Sequence, residues 1–76
     1  MPDLPHLSGR EIIRALERLG FVQARQRGSH VVMKKATPEG NVGCVVPLHS
    51  EVAIGTLHSI LKQAKVSPDE FIKAVK

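Results

Sequence analysis

The chain has no tryptophan, no tyrosine and only two phenylalanines. That excludes a platform of exposed aromatic rings for stacking bases, the device of RNA-recognition motifs. Its one cysteine, Cys44, cannot form an internal disulfide, so a reducing compartment suits it. There is no cysteine pair and no histidine pair at i, i+4, which removes the ordinary zinc patterns. The seven carboxylates are scattered, so no magnesium site is written, and glycine-rich phosphate loops are missing. No metal and no cofactor are expected. No apolar run approaches the roughly 20 residues that cross a bilayer, so no membrane partner is expected. Met1 to His6 lacks the basic region and apolar stretch of a signal peptide, which makes the cytoplasm the expected location.

What is present is short and basic. Seventy-six residues, 42% of them hydrophobic, suffice for one domain over residues 1–76 with a thin core. Eleven lysines and arginines against seven carboxylates give a formal charge of +4, which favours a polyanionic partner such as nucleic acid. A small binding module and a compact enzyme acting on a large substrate are the two classes that fit.

Punctuation along the chain gives the elements. Met1 to Leu7, with Pro2 and Pro5, reads as an extended lead-in. Ser8 and Glu11 form a capping box, followed by Ile12, Ile13, Leu16 and Leu19 at helical spacing, with Gly20 as the stop. The spacing predicts a helix over 8–19. Strands are expected over 21–27, 30–35 and 42–48, with the turn-forming stretch Thr37 to Asn41 between the second and third. Pro47 places the end of the third at an edge or outside the ladder. A second helix begins near Ala53 and buries Leu57, Ile60, Leu61 and Ala64, with Lys62 and Lys65 in its last turns. Ser67, Pro68 and Glu70 open a short third helix carrying Phe71. A three-stranded antiparallel sheet with helices on one face is the economical packing, an α+β fold whose other sheet face meets solvent or a ligand.

The densest chemistry lies in Arg25-Gln26-Arg27-Gly28-Ser29-His30 and continues to Lys34 and Lys35, with no acid between Arg18 and Lys35. Gly28 and Ser29 make a bend that brings a phosphate near backbone amides, and His30 follows at a strand start. Histidine titrates near neutrality, which suits taking a proton from a ribose hydroxyl. The same residues also fit a plain turn with a surface histidine, and Lys34 and Lys35 also fit a solvated strand end. His49, just past the third strand, is a second candidate, and sequence does not fix whether it shares His30's end of the sheet. His6 and His58 read as surface residues, and Cys44 reads as a small core residue.

Together these residues resemble the HicA family, small mRNA-cleaving toxins of prokaryotic toxin–antitoxin pairs. The likeness runs through Leu19-Gly20-Phe21, Gly28-Ser29-His30, Val46-Pro47-Leu48-His49, Gly55-Thr56-Leu57, Ile60 to Ala64 and Ser67 to Phe71. It implies a double-stranded-RNA-binding-domain-like fold, a glycine-serine-histidine motif whose histidine, here His30, is needed for cleavage, and an antitoxin of the HicB type. The expected activity is therefore metal-independent cleavage of mRNA. His30 takes the proton of a ribose 2′-hydroxyl, Arg25, Arg27, Lys34 and Lys35 hold phosphates, Gly28 and Ser29 shape the cradle, and His49 is the first choice of general acid. DNA is not an expected direct partner and enters only through the antitoxin. The alternative is a non-catalytic module for duplex RNA that uses the same basic face.

Overall fold

The computed structural model describes residues 4–76; the reading of Met1 to Asp3 as lead-in lies outside the described residues. Helix α1 (Gly9–Arg18) starts where the capping box places it. The Ser8 hydroxyl accepts the Glu11 amide at 3.2 Å, and the Glu11 carboxylate accepts the Ser8 amide at 2.9 Å. The bond from the Ser8 amide foremost, then the Ser8 hydroxyl and the charge of Arg14, holds the Glu11 carboxyl below its ordinary value. The helix stops at Gly20, whose φ of 99° few side chains tolerate, and the Phe21 amide closes back on the Leu16 carbonyl at 3.0 Å.

Three strands follow, β1 (Val22–Arg27), β2 (His30–Thr37) and β3 (Gly40–Pro47), in one antiparallel sheet with β2 in the centre. β2 and β3 run further than the sequence indicates. The expected five-residue loop shrinks to Pro38 and Glu39 because Gly40 enters the ladder opposite Thr37 with φ 125°. Pro47 is the last residue of an edge strand, where a missing amide costs nothing.

Helix α2 (Ile54–Ala64) ends on Lys65, which takes the left-handed conformation itself at φ 56° and so lies just beyond the helix. Helix α3 (Pro68–Val75) has its own capping box, Ser67 with Glu70. The order of helix, three antiparallel strands and two helices is the α+β arrangement expected from the sequence.

Alternation along β2 and β3 sends Val31, Met33, Cys44 and Val46 to one face, where they are buried with Ile12, Leu16, Leu57, Ile60, Leu61 and Phe71. Burying a large apolar side chain stabilises by about 1.5–3 kcal/mol, so this layer holds the sheet and helices together. Phe71 is fully buried, and Arg18 reaches the end of the same helix, its guanidinium donating to the Ala74 carbonyl at 2.8 Å. Leu7 bridges to Val52, whose amide donates to the Leu7 carbonyl at 2.7 Å. Burial in this layer pushes the Cys44 thiol up to about 11, in keeping with a core residue. The described residues leave the other face of the sheet bare: Val22 and Val45 there are 61% and 43% exposed. Among the described residues no helix is long and apolar enough to cross a membrane.

Candidate functional site

The site begins with a turn. Gly28 and Ser29 alone separate β1 from β2, with Arg27 directly opposite His30. Gly28 takes φ 55°, and Ser29 does not share the positive angle, the pattern of a tight hairpin with glycine first. A Cβ at Gly28 would meet nothing within 4 Å, so backbone angle, not space, calls for glycine. Both turn carbonyls are held. The Gln26 side-chain amide donates to the Gly28 carbonyl at 2.9 Å, and the Leu48 amide donates to the Ser29 carbonyl at 2.7 Å.

Register decides which side chains share His30's face. His30 lies between Arg27 and Pro47, Val32 between Arg25 and Val45, and Lys34 between Val22 and Gly43. Directly opposed residues have Cβ atoms about 5 Å apart, and successive rows on one face are separated by roughly 7 Å. Arg25, Arg27, His30 and Lys34 therefore form one cluster on the bare face, and all four are exposed. A bulge at Ala24 makes this set what it is. Val22 and Arg25 would fall on opposite faces of an unbroken strand, but the extra residue returns both to the bare face.

The structure does not bring Lys35 to this cluster. Adjacent residues of a strand point to opposite faces, and the Lys35 ammonium sits 5.8 Å from the centre of the Phe21 ring on the helix side. His49 does belong to His30's end of the sheet, two residues beyond Pro47, and is exposed. Its carbonyl accepts the Gly9 amide at 2.9 Å, which anchors the segment to the start of α1. His6 and His58 are exposed, and His6 approaches Glu51 at 3.8 Å.

Two contributors escaped sequence reasoning. Gln26 braces the turn through a bond to a residue two positions on, a contact hidden until the hairpin register is known. Gly9 is placed so that a Cβ would collide with the Pro47 carbonyl oxygen, so its small size lets α1 seat against the exit of β3. Its position just after the cap was the one available signal.

The arrangement is an exposed imidazole flanked by guanidinium groups and a lysine, on a face that none of the described residues covers. Such a site can take a proton from a hydroxyl and stabilise charge on phosphoryl oxygens. A family model described as HicA toxin of bacterial toxin-antitoxin matches residues 9–66. A search of curated proteins found no match. The matched span begins at the first residue of α1, runs past the end of α2 and contains every site residue described above; α3 lies beyond it. The chain therefore belongs to the HicA family of toxins from bacterial toxin–antitoxin systems.

Proposed function

We propose that this toxin is an endoribonuclease that cuts mRNA without a metal ion. RNA lies on the bare face of the sheet, its phosphates held by Arg25, Arg27 and Lys34 while the Gly28–Ser29 turn shapes the cradle. His30 takes the proton from a ribose 2′-hydroxyl, whose oxygen attacks the adjacent phosphorus. The bond from phosphorus to the 5′-oxygen breaks, and that oxygen receives a proton, with His49 as the donor. The products are a 2′,3′-cyclic phosphate and a 5′-hydroxyl. The guanidinium groups stabilise the charge that builds on the phosphoryl oxygens, and the same positive charge disfavours a divalent cation beside His30.

The observation that carries this reading is His30 exposed at a strand end with Arg27 as its cross-strand neighbour. A base buried among hydrocarbon would have no substrate, and one surrounded by carboxylates would repel RNA. The protein works in the cytoplasm, where an antitoxin of the HicB type restrains it by covering the same face with acidic and hydrogen-bonding groups. DNA enters only through that antitoxin.

The test is a pair of oligonucleotides that differ by a single 2′-deoxy sugar at a mapped cleavage position. The ribose substrate is cut in excess EDTA and leaves a 2′,3′-cyclic end, and the deoxy substrate survives at that bond. Cleavage of the deoxy bond, or its abolition in the ribose substrate by EDTA, contradicts the reading.

A further inference from the structure

β1 is an edge strand whose helix side is open among the described residues. Gln23 and Gln26 pair with the buried Met33 and Val31, so they face the helices, yet both are exposed. Between them and α1 runs an open groove of about 200 Å³. Arg10 and Arg14, one helical turn apart, line its helix wall, and Val31 and Leu48 lie at its floor. Arg18, the next residue in that stripe, is engaged with the carbonyls of Ala74 and Val75. Arg10 and Arg14 hold no such carbonyl, and neither lies within 4 Å of a carboxylate among the described residues, though the charge of Arg14 reaches Glu11 and helps hold its carboxyl low.

The groove has a direction. α1 begins and β1 ends at the His30 end of the molecule, where the Gly9 amide meets the His49 carbonyl. Arg10 and Gln26 therefore lie at that end, and Glu17 and Gln23 at the other. The cationic end lies beside Gln26, the side chain that braces the Gly28–Ser29 turn, and Glu17 repels an anion from the far end. Gln26 belongs to both places, lining the groove while its amide holds the Gly28 carbonyl. One strand separates the groove from the face that carries His30, so an RNA chain bending round the β1 edge touches both.

We propose that Arg10 and Arg14 form a second phosphate subsite, which grips the RNA backbone next to the nucleotides held at His30. A guanidinium fork matches two phosphate oxygens, and two such groups over a small polar groove suit one phosphodiester. The proposal rests on the RNA-cutting reading and adds to it a grip on the far side of β1.

The test measures affinity for a mixed-sequence single-stranded oligoribonucleotide against salt. The parent is the full chain carrying His30→Ala, so that the RNA stays whole. Each phosphate contact to a single strand contributes about 0.7 to the slope of log K against log salt, so Arg10→Gln/Arg14→Gln, which empties one such subsite, makes the slope shallower by about 0.7. Arg10→Lys/Arg14→Lys keeps the parent slope, because charge is retained. With His30 intact, the glutamine pair raises KM several-fold and leaves kcat unchanged. A parent that binds RNA and a glutamine pair with the same slope overturn this proposal alone. So does loss of the slope in the lysine pair, which marks a structural effect, and so does a glutamine pair that loses only antitoxin affinity. A parent that binds no RNA overturns the RNA-cutting reading together with this one.

Discussion

The Ser29 carbonyl oxygen accepts the Leu48 amide at 2.7 Å, one residue beyond the last ladder pair, His30 with Pro47. That bond ties the exit of β3 to the turn that carries His30, and it brings His49 to the same end of the sheet. It adds to the His30–Pro47 ladder pair and to the Gly9 amide, which donates to the His49 carbonyl at 2.9 Å.

The adjacent lysines of β2 separate cleanly. Lys34 shares the bare face with Arg25 and His30, and Lys35 lies over Phe21 on the other side. Lys34→Ala is expected to lower the salt slope of single-stranded RNA binding by about 0.7, the amount for one phosphate contact. Lys35→Ala is expected to leave the slope unchanged. Fluorescence anisotropy across a salt series checks both.

Gly9 is a packing constraint. Its amide donates to the His49 carbonyl, and a Cβ there would run into the Pro47 carbonyl oxygen and within 2.9 Å of the Leu48 Cα. Backbone cannot give way as a flexible side chain can. Gly9→Ala is expected to destabilise the fold by about 1–3 kcal/mol, as overpacking does elsewhere. Urea unfolding measures the loss.

Cys44 reports on the core. Burial raises its thiol from the ordinary 9.0 to about 11. Between those values the unfolded chain releases a proton that the folded chain keeps, so this group's contribution to stability falls as pH rises through the window. At about pH 9, where a free thiol is about half ionised, iodoacetamide is expected to modify the unfolded chain quickly and the folded chain slowly. Mass spectrometry with and without urea gives the comparison.

Helix ends were legible because capping boxes are local: Ser8 with Glu11 and Ser67 with Glu70 satisfy each other within one turn. The strands were legible as apolar runs, but their lengths were not, since Gly40 joins the ladder only once Thr37 sits opposite. At the site, the sequence exposed the motif and the cations. It hid their faces, because the bulge at Ala24 resets alternation in β1 and only strand pairing reveals it. The end of the sheet that holds His49 was hidden for the same reason. Lys35 looked equivalent to Lys34 in a one-dimensional run of charge, and the pleat makes them opposites.

Purified His30→Ala, assayed on mRNA beside the wild type, decides whether His30 is the base that cuts RNA. His30 is exposed, so the variant should fold with stability within about 0.5 kcal/mol of the wild type and still bind RNA. Its cleavage rate should fall by about 10²–10⁴, the usual contribution of general acid–base catalysis, and its induced expression should leave growth and total mRNA intact. A folded His30→Ala protein that cuts at the wild-type rate contradicts the account.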